Sequence, residues 1–494
     1  MFGRIVPALF QRRSPHLQRG PVRVRPSTVA IQYGYRSVSV DPLERSESFW
    51  LRDSGIPYSE VVLYGYATDH PFNNTLEALQ AQGIRVFGHG PGVPAWLPTG
   101  RAFVVFLETA LNLILKTMGC LVRGKRVGGS FLVAFLELAW AYAYWLDFFS
   151  TNRVRVNVGT GPAHVGQILA LDALRGVGVT YQHSASNLIF PTLLLTSGEH
   201  VQCVFSSAFE QLWRSLGAPV QQYLHTGFIY DGAWQAVRHS RRIASTRRRL
   251  EEHGARFILG FFDENSVDRW DIPAPHDEAA RDYEYLLTWL LADPTLGLVF
   301  KPKRSVDLFQ RLDRIAGLIE RAKQTGRCVF LTSEPVVGSV FPAEAALMAD
   351  VCIGKLVGVT AAFEARLAGK PTILIDGEGL TQHPFYSWAR GTVVFGDWPS
   401  AHTAIEQYRS SPVSSPEFGD WSPGLDDLDP FRDGKASVRL GQYIGWLSEA
   451  LKQGASPQEA LERAGKQYTQ AWPSVRGPSG QATRAEAVCV GAQG

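Results

Sequence analysis

One stretch, residues 349–376, constrains the fold more than any other part of the chain. It reads as a strand, a glycine-containing turn, a helix and a second strand. Residues 351–353 form a short apolar run that suits a buried strand. Gly354 and Gly358 bracket a loop in which the backbone can bend or approach a ligand closely. Two buried strands joined through a helix predict a βαβ unit of a parallel sheet.

The helix of this stretch has clear start and stop signals. Thr360 is a good N-cap residue, and Gly369 and Pro371 end the helix. A helix N-terminus that follows a strand presents unpaired N–H groups and the positive end of a dipole, which suit a phosphate. Glu364, one turn further, is placed to reach a pair of ribose hydroxyls. An ordinary crossover, in which Thr360 only caps and Glu364 only complements the dipole, stays open.

The order of these pieces resembles the nucleotide-sugar half of glycosyltransferases of the GT-B architecture. In those enzymes a small-residue loop opens a helix that carries a glutamate, followed by Gly-Lys-Pro and a strand. The stretch is also similar to PFTS-motif proteins of bacterial surface-polysaccharide biosynthesis, with Gly358, Val359, Thr360 and Ala361 at the place of the four-residue motif. The resemblance covers residues 150–445. It implies an α/β fold of two Rossmann-like domains that face a cleft, and sugar transfer from a nucleotide donor to a surface glycan.

The composition is that of a globular intracellular protein. The chain has 494 residues, 45% of them hydrophobic and 19% charged, which predicts two to three domains with ample core. A net charge of +3 is too small to indicate nucleic-acid binding. The cysteines are odd in number and form no CxxC pair, so neither a disulfide framework nor a structural zinc site is expected. A reducing, cytoplasmic compartment follows.

The N-terminal residues 1–28 are basic, with no acid before Asp41. We expect a disordered tail, and an arm that rests on anionic lipid is the alternative. No long apolar run follows the arginines, which argues against a signal peptide. Alternating strand and helix patterns then predict an N-terminal Rossmann-like acceptor domain over residues 29–230.

An apolar helical insertion is predicted within this domain, at residues 102–149. The first of its two apolar stretches carries Glu108, Asn112 and Lys116 at spacings of four, which places them on one narrow stripe of a helix. The basic sequence RGKR separates the stretches. Two interpretations stay open: a pair of core helices with a solvated basic loop, or a monotopic patch whose cations lie on anionic headgroups. The second suits an enzyme on the inner face of the cytoplasmic membrane.

Two histidines of the N-terminal domain follow predicted strands. Residues 153–158 lead into a glycine-rich loop that contains His164, and residues 178–182 lead into His183 and Ser184. Open α/β sheets bind ligands at the carboxyl ends of their strands. A general base is most often histidine, so His183 is the first candidate and His164 the second. A purely structural histidine is the alternative for each.

The predicted nucleotide-sugar-binding domain, residues 231–427, also places polar residues after its strands. Asp263 and Glu264 follow the first strand, where they are expected to face donor phosphates or the acceptor. Two such oxygen ligands do not specify a metal. Glu334 follows a later strand, and His383 lies on a loop that either closes over the donor or belongs to the surface.

Three cationic side chains lie at the C-terminal end of another predicted strand of this domain. Lys301, Lys303 and Arg304 are suited to neutralise a diphosphate, and Pro302 favours a fixed turn over a solvated surface. The pattern resembles the Lys-x-His-Pro stretch of some bacterial sialyl-, Kdo- and glycerophosphotransferases, with Lys303 in place of the histidine.

No catalytic or binding role is predicted for the last parts of the chain. Residues 428–472 resemble the tail of PFTS-type proteins and are expected to form a helical wrap, and residues 473–494 are expected to be disordered.

The predicted catalytic residues are His183, Asp263 and His164; the predicted donor-binding residues are Lys301, Lys303, Arg304, Gly358, Val359, Thr360, Ala361 and Glu364; the other predicted cleft residues are Ser184, Glu264, Glu334 and His383.

The predicted function is a glycosyltransferase that moves a sugar from a nucleotide-sugar donor to a surface-polysaccharide or lipid-linked glycan acceptor. The predicted partners are that donor, that acceptor and the inner-membrane surface. No cofactor beyond the nucleotide-sugar co-substrate and no metal is expected. A polyol-phosphate transferase, a nucleotide-sugar epimerase and a non-catalytic scaffold of a polysaccharide assembly are the alternatives.

Overall fold

The structure, a computed structural model, describes most of the chain. It covers residues 28–33, 45–65, 75–88, 95–123, 128–160, 164–185, 198–266, 275–305, 307–332 and 340–473. Nearly all of the two predicted terminal tails, most of the RGKR sequence and Glu334 lie outside these residues.

Within the described residues, the N-terminal half contains a parallel sheet of seven strands. The strands are β1 (Thr28–Tyr33), β2 (Val61–Gly65), β3 (Arg85–Phe87), β4 (Val154–Gly159), β5 (Val177–Tyr181), β6 (Val201–Val204) and β7 (Gln222–His225). Their order is β3-β2-β1-β4-β5-β6-β7. This is the Rossmann order with one strand added, and the order reverses between β1 and β4.

A second parallel sheet, with six strands in the part of the chain that the structure describes, lies in the C-terminal half. The strands are β8 (Phe257–Phe262), β9 (Leu296–Lys301), β10 (Cys328–Phe330), β11 (Val351–Lys355), β12 (Thr372–Ile375) and β13 (Val394–Phe395). Their order, β10-β9-β8-β11-β12-β13, is the Rossmann order again, with its reversal between β8 and β11. The predicted fold class, α/β with two Rossmann-like domains, is confirmed.

Helices connect the strands and cover both sheets. They are α1 (Thr75–Ala81), α2 (Gly100–Val122), α3 (Gly129–Asn152), α4 (Val165–Ala173), α5 (Ser207–Ser215), α6 (Ala233–Val237), α7 (Arg241–Glu252), α8 (His276–Ala292), α9 (Leu308–Arg311), α10 (Ala316–Gln324), α11 (Pro342–Met348), α12 (Thr360–Leu367), α13 (Tyr386–Ala389), α14 (Trp398–Ser410), α15 (Leu425–Leu428), α16 (Ala436–Lys452) and α17 (Pro457–Ala471). Short 3-10 turns lie at Leu51–Asp53, Tyr58–Glu60, Asp313–Ile315, Pro412–Ser414 and Ser422–Gly424.

The two faces of the second sheet pack into different cores, because successive side chains of a strand point to opposite sides. On β8, Leu259 and Phe261 join an outer core under α8. Ile258 and Phe262 join an inner core that includes side chains of α11 and α12 and continues into the first sheet. The inner faces of the two domains therefore share one continuous core.

The last two helices pack on the first domain, although they follow the second in sequence. Gly441 of α16 lies against the backbone of Trp50, where a Cβ atom would collide with the carbonyl oxygen. Tyr443 Oη donates to Gln222 Oε1 at 2.8 Å, and Tyr468 Oη of α17 donates to the carbonyl of His225 at 2.8 Å. The chain thus passes between the two domains twice.

A buried charged cluster lies where the two passages meet. Arg439, fully buried, donates through Nε to the carbonyl of Thr226 at 2.7 Å and through Nη1 to both carboxylate oxygens of Asp433 at 2.9 Å. Its Nη2 is 3.7 Å from Asp231 Oδ2. Burial, and next the charge of Asp429, raise the pKa of Asp231 to about 7. The buried guanidinium of Arg439 is thus the positive charge among the carboxylates of Asp231, Asp429 and Asp433.

Helices α2 and α3 form a long hairpin on the first domain. Each is long and apolar enough to cross a membrane, with mean hydropathies of 1.5 and 1.3 in their most apolar windows. Thr99 donates to the buried Asp147 through its backbone N–H at 2.9 Å and its hydroxyl at 2.6 Å, which fixes the base of the hairpin. Of the most apolar window of α2, a share of 11% is buried in the protein, and of the corresponding window of α3, a share of 39% is buried. The core-helix interpretation therefore fits the second half of α3 and is wrong for α2.

Candidate functional site

The predicted site residues of the first domain follow neighbouring strands. His183 and Ser184 come after β5, and His164 comes after β4, beyond Thr160. His183 Nδ1 lies 3.1 Å from the carbonyl oxygen of Thr160. Because a carbonyl only accepts hydrogen bonds, Nδ1 carries the proton in the neutral ring, and the lone pair is on Nε2. This tautomer is the one that a general base needs.

His164 has the opposite tautomer. It is the N-cap of α4, and its Nδ1 accepts from the backbone N–H of Gly166 at 3.2 Å. The Gln167 side chain accepts from the His164 N–H at 2.7 Å, which completes a capping box. Burial of part of the ring lowers the pKa of His164. With the proton on Nε2, the neutral ring caps a helix and has no lone pair left for a substrate proton, so the geometry favours His183.

Thr360 connects the two domains. Its Oγ1 lies 2.9 Å from Ser184 Oγ and accepts from the backbone N–H of Ala185 at 2.9 Å. The prediction that Thr360 is an N-cap is wrong. Helix α12 begins at Thr360 itself, and Val359 occupies the N-cap position, where its side chain makes no capping hydrogen bond. The threonine hydroxyl binds the opposite domain instead.

Asp263 is buried at the end of β8. Its Oδ2 accepts from Tyr283 Oη at 2.8 Å, and its Oδ1 accepts from the backbone N–H of Lys303. Burial raises the pKa of Asp263 to about 6, against the effect of these two hydrogen bonds. The carboxylate thus ties helix α8, through Tyr283, to the turn after β9, through Lys303, so Asp263 positions that turn in this arrangement.

Glu264 and Lys303 form an ion pair beside the turn that leads into α12. The carboxylate of Glu264 lies over Gly358, so that a Cβ atom at Gly358 would collide with it. Lys303 has 56% of its side chain exposed. Arg304, also exposed, pairs with Asp307 at 2.8 Å. Through Glu264, the predicted cation Lys303 therefore stands next to the Gly358 turn.

Lys301 and Glu364 lie beneath this surface. Lys301 Nζ donates to the carbonyl of Pro302 at 2.9 Å, and burial lowers its pKa to about 8. Glu364 Oε1 accepts from the N–H of Ala343 at the start of α11 at 3.0 Å, and its Oε2 is 3.7 Å from Arg45 Nη1. Glu364 of α12 is only 1% exposed, and its carboxylate contacts both α11 and Arg45 of the first domain. Its contact with a ribose stays a prediction.

His383 is buried, so its interpretation as a surface residue is wrong. Its Nδ1 accepts from the backbone N–H of Phe385 at 3.1 Å, and its ring contacts the ring of Phe385. Burial lowers the pKa of His383 to about 4. A role of this histidine over the donor stays a prediction.

Sequence reasoning missed a buried ion-pair cluster at the end of β11. Lys355 Nζ lies 2.9 Å from Asp282 Oδ2 and 3.2 Å from Glu378 Oε1. Burial raises the pKa of Glu378 to about 7, and Lys355 opposes this shift. A lysine at the end of a buried apolar strand, in the sequence VCIGK, was the available signal.

The described part of the chain contains no group of three or more His, Cys, Asp and Glu residues that could hold a metal ion. Its four described cysteines are free, and Cys203, Cys328 and Cys352 are buried.

No family model and no curated protein matches the chain. Among solved structures, it is similar to HepE of Anabaena in complex with UDP and glucose, with 12% identity, 90% of this chain and 100% of that chain covered, and a TM-score of 0.42. It is similar to a putative UDP-N-acetylglucosamine 2-epimerase of Listeria monocytogenes, with 11% identity, coverages of 88% and 98%, and a TM-score of 0.48. A variant of the wall teichoic acid polymerase TagF has 9% identity, coverages of 87% and 90%, and a TM-score of 0.46. The fold follows from the strand orders of this chain, and these likenesses assign it no substrate.

Proposed function

We propose that the protein is a glycosyltransferase that moves a sugar from a nucleotide-sugar donor to a surface-polysaccharide or lipid-linked glycan acceptor. One observation carries the proposal: Ser184 and Thr360 join the end of β5 to the first turn of α12, at 2.9 Å. This contact brings the loop of a correctly protonated histidine next to a helix N-terminus. Lys303, which follows β9, stands beside the same turn through its ion pair with Glu264.

The chemistry divides between the two domains. His183 Nε2 takes the proton of an acceptor hydroxyl as its oxygen forms a bond to the anomeric carbon of the sugar. The bond between that carbon and the donor phosphate oxygen breaks, and its electrons leave with the nucleoside diphosphate. The first N–H groups of α12 and the cations Lys303 and Arg304 stabilise this developing charge. The acceptor is at the inner face of the cytoplasmic membrane, and the enzyme works in the cytoplasm.

A thermal-shift screen against UDP-, GDP-, dTDP-, CDP- and CMP-linked ligands tests the donor site. A ligand at 100 times its dissociation constant adds about 2.7 kcal/mol to the free energy of unfolding, so one nucleotide is expected to raise Tm clearly above the rest. Lys303→Met is expected to reduce that rise, because it removes a cation from the diphosphate site. Lys323→Met is the matched control, since Lys323 pairs with Glu320 on α10 of the same domain.

Three results would count against the donor site. A flat panel with folded protein would favour the non-catalytic scaffold. An equal loss of the shift in Lys303→Met and Lys323→Met would mean that a general loss of positive charge, and not the turn after β9, weakens binding. A shift retained in full by Lys303→Met would remove this lysine from the site.

The affinity for the donor is expected to depend on pH through Lys301. Burial lowers the pKa of this lysine to about 8, so its ammonium is mostly charged at pH 7 and mostly neutral well above pH 8. If that charge supports the diphosphate, the dissociation constant of the donor rises as pH increases through about 8. Calorimetric titration of wild type and Lys301→Met across this range measures the effect. The variant should bind more weakly and with little pH dependence, and parallel curves for the two proteins would exclude Lys301.

A further inference from the structure

The outer face of α2 is an exposed apolar stripe. At about 100° per residue, its members fall on roughly a third of the helix circumference. The stripe, called the outer stripe below, is formed by Phe103, Leu107, Leu111, Leu115, Met118 and Val122, which are 49–87% exposed. Exposed apolar surface of this extent marks an interaction site in a soluble domain. Within the described residues, the opposite side of α2 packs on α3.

We propose that the α2–α3 hairpin is a monotopic membrane anchor that lies in one leaflet of an anionic bilayer, with the outer stripe in the acyl region. This inference rests on the surface of the hairpin and not on the proposed transferase activity. Trp140 of α3, also exposed, contacts Phe106 of α2 edge-to-face, with ring centroids 5.6 Å apart. Tryptophan is enriched at the membrane–water interface, which is where this arrangement places it.

The polar residues of α2 decide between lying in the membrane and crossing it. Glu108, Asn112 and Lys116 are exposed and form one line beside the outer stripe, along the middle of the helix. In a spanning helix, this line would lie deep in hydrocarbon, where charged side chains are strongly unfavourable. In a helix parallel to the surface, the same line stays at the level of the headgroups while the outer stripe is buried.

The charge of the hairpin selects a lipid surface over a second copy of the chain. Between Glu108 and Glu137 the sequence has four cations, Lys116, Arg123, Lys125 and Arg126, and no carboxylate. Anionic headgroups attract such a segment. A parallel twofold pairing of two α2 helices would set Arg123 of one copy near Arg123 of the other, so cations would face cations at this end of the helix.

Flotation of the full-length protein with vesicles tests the anchor. The protein is expected to float with mixed phosphatidylcholine–phosphatidylglycerol vesicles, and less with phosphatidylcholine alone or at high salt. The triple variant Leu107→Gln, Leu111→Gln, Leu115→Gln should lose at least ~100-fold in partitioning, because these side chains no longer enter the acyl region. Val413→Gln is the matched control, since Val413 is an exposed apolar residue of the other domain.

A second variant separates the charge from the apolar stripe. Lys116→Glu with Arg123→Glu should abolish the preference for phosphatidylglycerol while the far-UV spectrum and Tm stay those of the wild type. A wild-type protein that ignores anionic vesicles at low salt would overturn the proposal. So would a triple variant that floats as well as Val413→Gln. A wild-type dimer that dissociates in the triple variant, with no vesicle binding by either protein, would assign the outer stripe to a second copy.

Discussion

His183→Gln is expected to slow the proposed glycosyl transfer by about 10²–10⁴-fold, because it removes the proposed base for the acceptor hydroxyl. Glutamine retains a polar side chain but has no basic lone pair at the position of Nε2. The dissociation constant of the donor, whose proposed site is at α12 and the turn after β9 in the other domain, should change little. The measurement is the initial rate of nucleotide release with the donor identified by thermal shift.

The matched control for this variant is His164→Gln. His164 caps α4, so its replacement should cost about 1 kcal/mol in the free energy of unfolding and leave the transfer rate nearly unchanged. Equal losses of rate in the two variants would show that the assignment of the base from the ring tautomers is wrong. A normal rate in His183→Gln would exclude His183 as the base.

Arg439→Met is expected to reduce the free energy of unfolding by about 3–5 kcal/mol, the typical cost of breaking a buried ion pair on one side. The guanidinium is fully buried, and its loss leaves the carboxylates of Asp231, Asp429 and Asp433 without their central cation. Denaturant titration followed by tryptophan fluorescence measures the change. Arg314→Met is the control. Its partners Asp277 and Glu284 are exposed, so we expect a loss of less than about 1 kcal/mol.

The loss in the free energy of unfolding caused by Arg439→Met should depend on pH, and the pKa of Asp231 determines whether it grows or shrinks as pH rises. Its pKa is about 7 in the folded protein and near 3.8 in the unfolded chain, so the folded state binds the extra proton and stability falls as pH rises between these values. Removing Arg439 raises the folded pKa further, which extends this fall to higher pH. The difference from wild type should therefore be larger at pH 8 than at pH 5. A difference that does not change with pH would exclude Asp231 as its source.

The fold was largely predictable because local patterns and the tertiary structure agree in this chain. The buried run at residues 351–353, the glycine stop at Gly369 and the strand after it became β11, α12 and β12 in a parallel sheet. The same holds for the apolar stretches that became α2 and α3. Strand periodicity and helix stop signals are properties of neighbouring residues, so the sequence alone reveals them.

The site was less predictable because its contacts join residues far apart in the chain. The sequence marks Thr360 as a helix cap, but the contact with Ser184, 176 residues away, determines where its hydroxyl points. Glu364 binds Ala343 and Arg45, and neither appears in a local motif. The tautomers of His183 and His164 likewise depend on backbone groups that only the folded chain brings near.

The packing of α16 and α17 has a consequence for synthesis of the protein on the ribosome. The second domain is built from one continuous segment, so it can fold as soon as that segment has emerged. Most residues of the first domain are synthesised before that segment. Helix α16, which covers Trp50 and hydrogen-bonds to Gln222, and helix α17 are synthesised after it. The first domain is therefore incomplete until the chain extends past residue 471. Until then, the neighbourhood of Trp50 and β7 is uncovered. The domain that begins first should therefore be completed last, and a nascent chain stalled before α16 should present this surface to chaperones.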